Sequence, residues 1–143
     1  MTPQEIEDSF TKGIYSSRDL RLAHPEWLVL WPTLKQEFGE ETGLALEISC
    51  TYRNTKAQND LYQLGRTKPG KKVTDKDGIS SFSLHNIFPS IAIDTWVHLA
   101  GKPLALWDVD AFDTLGILAK KYNLVWGGDW KGLKDRPHLE LRK

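Results

Sequence analysis

Two apolar runs, residues 91–99 and 104–107, are separated only by Ala100-Gly101-Lys102-Pro103. A connection that short permits the runs to meet only as antiparallel neighbours, because a parallel return needs a crossover of a dozen or more residues. A chain built on this hairpin must cover one face of a sheet, and helical patterns elsewhere supply the cover. From Pro25 onward, Trp27, Leu30, Trp31, Leu34 and Phe38 recur at three- and four-residue steps, with Gly43 as a stop and Pro32 predicting a kink or a restart. Asp108 or Asp110 would cap a further helix carrying Val109, Phe112, Leu115, Leu118 or Ala119, and Tyr122 on one face. Thr2-Pro3-Gln4-Glu5 reads as a capped helix start. Residues 44–52, 124–126 and 139–142 read as strands and 54–64 as a short helix. Helices and hairpins in this order predict an α+β fold, an antiparallel sheet with packed helices.

At 143 residues the chain has the length of one domain, expected to span residues 1–143 without a second unit. Nineteen basic residues balance nineteen acidic ones, so no bulk field draws the molecule to nucleic acid or a membrane. The charge is unevenly placed: residues 1–47 carry nine acids and four bases, whereas residues 48–76 carry two acids and seven bases. A basic segment suits an anionic substrate or a solvated loop. The one cysteine, Cys50, excludes an internal disulfide and a multi-thiolate zinc site, and its apolar surroundings predict a small buried hydrophobe. No apolar stretch approaches the roughly 18 residues of a membrane span. The acidic segment Met1–Asp8 does not resemble a signal peptide, which predicts synthesis in the cytoplasm without an export address. Residues 65–84, rich in Gly, Pro and charge, predict a long loop that is functional or disordered.

The chemistry concentrates around two of the four histidines. His85 lies in Ser83-Leu-His85-Asn-Ile-Phe-Pro-Ser-Ile-Ala-Ile-Asp94, and His138 in Asp135-Arg-Pro-His138-Leu-Glu140. Two imidazoles and a carboxylate suit Zn²⁺, and a catalytic site keeps a fourth position open. Asp94 points away from Ile91 and Ile93, so it needs a partner, which a metal or a salt bridge would supply. Asp135, three residues before His138, could act as a general base; Glu140, two residues after, could do so or hold an imidazole. The residues alone do not choose between them. Arg53 could hold a substrate carboxylate or oxyanion, or form a structural ion pair. His24 reads as a helix cap and His98 as hairpin packing. Trp126-Gly-Gly-Asp-Trp130 reads as a tight turn whose aromatics belong to the core or to a ligand platform. Asp75-Lys-Asp77-Gly78 lacks the later acid of a calcium loop. No Gly-x-Ser-x-Gly elbow exists, and Ser83 has no base at a diagnostic spacing, which excludes a serine nucleophile.

In order and spacing these segments resemble the zinc-dependent peptidoglycan peptidases, the D-alanyl-D-alanine carboxypeptidases and L-alanyl-D-glutamate endopeptidases, over residues 48–140. Thr51-Tyr-Arg53, Gln58, Leu61-Tyr62 and Gly65-Arg-Thr-Lys-Pro-Gly70 with Val73-Thr74 resemble the endopeptidase branch, which includes phage endolysins. Ser83-x-His85 with Ala92-x-Asp94 resembles the first metal motif, and Trp126-Gly-Gly-Asp-Trp130 with Asp135-x-Pro-His138-x-Glu140 the second. The resemblance implies the hedgehog/D-Ala-D-Ala-peptidase-like fold, one Zn²⁺ per chain on His85, Asp94 and His138, Asp135 as general base and acid, and Arg53 as the substrate or transition-state contact. Ser83, Glu140, Trp126 and Asp129 are implied to support the ligands or meet substrate. Relatives often place the aspartate seven residues after the histidine; here the gap is nine, with Pro89-Ser90 in it, which predicts a local bulge.

The activity so implied is hydrolysis of the stem peptide at the L-Ala–D-Glu bond by a monomeric phage endolysin, reaching the wall through a membrane pore. The alternatives are release of terminal D-alanine, or a non-catalytic zinc-stabilised wall-binding module. Asp135 together with His138 speaks against the last, since a structural zinc prefers a closed fourth ligand.

Overall fold

The computed structural model describes residues 13–107 and 109–143, so the helix start at Thr2 and a cap at Asp108 lie outside the described residues. A 3₁₀ turn at Leu20–Leu22 leads into α1 (Pro25–Thr42), β1 (Ala45–Cys50) and α2 (Thr55–Tyr62). After a long irregular segment come β2 (Ala92–Leu99), β3 (Lys102–Leu106), α3 (Ala111–Lys121), β4 (Val125–Trp126), a second 3₁₀ turn (Gly127–Asp129) and β5 (His138–Glu140).

The pattern from Pro25 gives a single helix. His24 caps it, its Nδ1 accepting from the Glu26 amide at 3.2 Å, and Gly43 ends it at φ 72°. α1 runs unbroken through Pro32, with no restart. An interior proline costs ~3 kcal/mol, but Trp27, Trp31, Leu34 and Phe38 are all buried, each worth ~1.5–3 kcal/mol, so the apolar face outweighs it. Phe38→Ala is expected to cost ~3–5 kcal/mol of stability in denaturant titration.

β2 is the hub of the sheet, pairing antiparallel with β1, with β5 over Ala92–Asp94 and with β3 from Val97 onward. β4 extends the sheet beyond β5. Ile93 and Val97 of β2, with Leu46 of β1 and Leu139 of β5, meet α1 and the Phe112–Leu115–Ala119 face of α3 in one apolar cluster. Asp94 faces away from this core, as the alternation predicted. Among the described residues no helix is long and apolar enough to cross a membrane.

Three expectations shift. The hairpin turn is only Ala100-Gly101, since Lys102 already pairs with Leu99, and Pro103 lies inside β3, where an edge strand tolerates a missing N–H. Asp110 precedes α3 without a side-chain cap bond. His98 has an acidic companion after all: Glu47 of β1 accepts from its Nε2 at 3.0 Å, while Nδ1 meets the Leu99 carbonyl at 2.7 Å. The Glu47 hydrogen bond and then the Leu99 carbonyl hold the imidazole above its ordinary pKa. That partner comes from a neighbouring strand, invisible in linear sequence.

Candidate metal centre and cleft

The register Asp94↔His138 sets β2 and β5 side by side, and His85 arrives from the loop beneath. Ser83 shapes that loop: its hydroxyl accepts from the His85 amide at 3.2 Å and its own amide donates to Asn86 Oδ1 at 2.9 Å. The chain then returns so that the Ile91 amide reaches the Leu84 carbonyl at 3.2 Å. Thus the nine-residue spacing keeps Asp94 beside His85. The sheet ladders shift register between Ile48 and Cys50 and between Val97 and Leu99.

His85 Nε2 lies 3.1 Å from Asp94 Oδ1 and 3.3 Å from His138 Nδ1, which is itself 2.9 Å from the same oxygen. Ligands of a tetrahedral zinc at ~2.0–2.1 Å are separated by roughly 3.3 Å, so the three atoms stand about where one cation needs them. The outer ring nitrogens are also accounted for. His85 Nδ1 donates to the Thr51 carbonyl at 2.7 Å, and His138 Nε2 contacts Glu140 at 2.8 Å. Anchoring the outer nitrogen as a donor turns the inner lone pair toward the shared point, the usual support of a metal-binding histidine. The donor set fits a divalent cation of the zinc type.

The electrostatics agree. Burial opposes charge on His85, but the Asp94 carboxylate outweighs it and holds the imidazole up at about 10. Burial also opposes charge on His138, which hydrogen bonds to Asp94 and Glu140 nevertheless raise. Asp94, desolvated yet flanked by both rings, is held well below the usual carboxylate range. A strongly acidic carboxylate between two basic imidazoles is a site whose protons a cation can replace.

Asp135 lies at the rim with Oδ2 3.8 Å from His138 Nδ1. Burial, and then the Asp94 charge, push its carboxyl up to about 6, nearer to the working range of a proton carrier. Arg53 spans the floor, with Nη2 3.2 Å from Asp94 Oδ2 and Nη1 3.0 Å from Gln58 Oε1. The ion pair considered for Arg53 therefore exists, but its partner is Asp94, a sheet carboxylate at the candidate metal centre. These groups open into a cleft of ~650 Å³ lined also by Ser83, Thr74, Lys76, Trp130 and Glu140.

Two of the supporting residues fall elsewhere. Trp126 packs against Gly116 and Gly128 and donates from its indole to the Arg136 carbonyl at 2.7 Å, bracing the loop from behind. Asp129 is exposed and does not line the cleft. Their place in a tight turn gave no sign of direction. Cys50 was read only as a core residue. The shift in β1 pairs it with Asp94, and its sulfur falls within 4.8 Å of donor atoms of His85 and Asp94. Only the strand register could have revealed this.

Fold and site together define an α+β protein with a candidate metal centre at the base of a cleft. The chain belongs to the D-alanyl-D-alanine carboxypeptidase family, whose sequence model matches residues 41–141. It is 36% identical over 108 residues to the peptidoglycan L-alanyl-D-glutamate endopeptidase CwlK of Bacillus subtilis, an alignment covering 69% of this chain and 62% of that protein. The chain therefore spans less than two thirds of that relative's length. The crystal structure of the L-Ala D-Glu endopeptidase ChiX of Serratia marcescens shares the fold, with a TM-score of 0.59 at 21% identity over 90% of this chain and 89% of that one.

Proposed function

We propose that this chain is a zinc-dependent peptidase of the peptidoglycan stem peptide, cutting the L-Ala–D-Glu bond. The observation that carries the reading is the Asp135 carboxylate, 3.8 Å from His138 Nδ1, beside a His85–Asp94–His138 cradle that opens into a cleft. The relative of known name that cuts L-alanyl-D-glutamate supports the choice of bond. His85, Asp94 and His138 would hold the cation, which when bound polarises the scissile carbonyl and acidifies the attacking water. Asp135 takes the proton from that water and returns it to the departing amine. Glu140 keeps His138 oriented and is not the base, because its carboxylate is committed to Nε2. Arg53 offers its fork to a carboxylate or to the developing oxyanion.

Exposed Lys76 lines the cleft, and exposed Lys71 and Lys72 precede its wall in sequence, which favours an anionic peptide. Activity on soluble stem peptide is therefore expected to fall as salt is raised from low to physiological strength. Mass spectrometry of digested muropeptides tests the bond: a new amino terminus at D-Glu supports the reading. Release of free D-alanine instead supports the carboxypeptidase activity for which the family is named. A role in phage lysis belongs to the same reading, and predicts that added protein clears Gram-negative cells once their membranes are permeabilised.

A further inference from the structure

Gln58 of α2 is wholly buried, and its amide joins two parts of the cleft. Oε1 accepts from Arg53 Nη1 at 3.0 Å, while Nε2 donates to the Lys76 carbonyl at 2.9 Å and the Thr74 hydroxyl at 3.2 Å. The other nitrogen of the Arg53 fork reaches Asp94 Oδ2 at 3.2 Å. A continuous polar path thus runs from the cleft wall through Gln58 and Arg53 to the metal centre. The next residue strengthens the seat of the wall, with Asn59 Nδ2 donating to the Asp77 carbonyl at 3.0 Å. Gly78 then presses on α2 so closely that a Cβ there would stand 2.8 Å from the Thr55 carbonyl.

We infer that Gln58 is a positioning residue, which sets the Arg53 guanidinium and the wall at residues 74–76 in one fixed relation to the metal centre. The chemistry requires an amide. One end must accept from arginine and the other must donate twice to the wall, which neither a carboxylate nor a thioether of the same length can do. Arginine left alone samples many rotamers, so a buried acceptor on Nη1 selects the one that faces the cleft. Burial leaves these bonds free of competing water. The long segment read as functional or disordered is, on this account, a seated wall.

The kinetic part rests on the peptidase reading; the proteolytic part does not. Gln58→Met keeps the volume and loses all three bonds. It is expected to lower kcat/KM on a stem peptide containing L-Ala–D-Glu by about 10- to 100-fold, to leave bound zinc per chain unchanged, and to speed tryptic cleavage after Lys71, Lys72 or Lys76. In an Arg53→Met background the same change is expected to lower kcat by less than about threefold more, because on kcat both act through one guanidinium, while the wall bonds act on KM. Gln58→Glu keeps an oxygen for Arg53 and loses the donors: cleavage by trypsin rises, KM rises and kcat stays within about threefold. If Gln58→Met fails to fold, the glutamate variant decides alone. Effects of the Gln58 and Arg53 changes that multiply in kcat, or trypsin rates equal to wild type in the glutamate variant, overturn the inference. A wild-type protein that cuts no stem peptide refutes the peptidase reading instead, and the trypsin comparison still tests the seat of the wall.

Discussion

Asp135→Asn is expected to lower kcat on purified peptidoglycan by about 10²–10⁴-fold while zinc content stays at the wild-type value. Asparagine keeps the shape of the side chain and cannot carry the proton. The carboxylate stands 3.8 Å from His138 Nδ1, outside the three close contacts that join His85, Asp94 and His138, so its loss removes proton transfer and leaves the cradle intact. Amine release and metal analysis on the same preparation separate the two effects. Glu140→Gln serves as the contrast, since its partner is the outer nitrogen of His138. It should weaken metal retention, by about 10- to 100-fold. Undiminished turnover in Asp135→Asn removes the residue from the mechanism.

Gly127→Ala should disable the site from behind. The Gly127 carbonyl accepts from the Asp135 amide at 3.0 Å and the Trp130 amide at 3.3 Å, so the turn holds both ends of the loop that delivers Asp135. A Cβ on Gly127 would stand 2.2 Å from the Asp135 carbonyl oxygen and 3.0 Å from His138 Cβ. The first obstacle is backbone and cannot swing aside, so the segment bearing Asp135 and His138 must move. Displacement by about 1 Å at reacting groups costs ~10²-fold in rate, and a fall of that order in kcat/KM is expected. Metal affinity should fall with it, because His138 is on the displaced stretch. Gly132→Ala is the control on the same loop, with nothing within 4 Å of an added Cβ, and should be silent. Equal activity in the two variants contradicts this account of the turn.

What could be read ahead of the structure was whatever leaves a local trace. The hairpin, the face of α1 and the orientation of Asp94 follow from periods of two and 3.6, which neighbouring residues carry by themselves. The candidate set of His85, Asp94 and His138 came from residue type and spacing through a family resemblance, and the structure brings the three side chains within 3.3 Å of one another. Features that depend on register had no such trace. The irregularity between Ile48 and Cys50 swings Cys50 beside Asp94, and Glu47 meets His98 only because β1 and β2 pair as they do. Direction out of a tight turn was equally hidden, so the choice between core and cleft for Trp126 needed the bond from its indole to the Arg136 carbonyl. The segment at 65–84 carried loop composition, but its order comes from side chains of α2, above all Gln58 and Asn59, reaching backbone carbonyls. No restart follows Pro32 for an energetic reason: propensity is local, and the buried face of α1 is not.

The different positions of Asp135 and Glu140 also needed coordinates. Both lie within three residues of His138, and only the structure shows one carboxylate bound to the outer ring nitrogen and the other left at the rim.

Zinc bound per chain after exhaustive dialysis, measured by mass spectrometry of the metal in wild type, Asp94→Ala and His138→Ala, tests the shared centre most directly. One ion per wild-type chain, with near-complete loss in both variants and loss of stem-peptide cleavage alongside it, is the predicted result. A wild-type preparation that cuts the peptide at full rate with no transition metal bound, or variants that retain the ion, would contradict it.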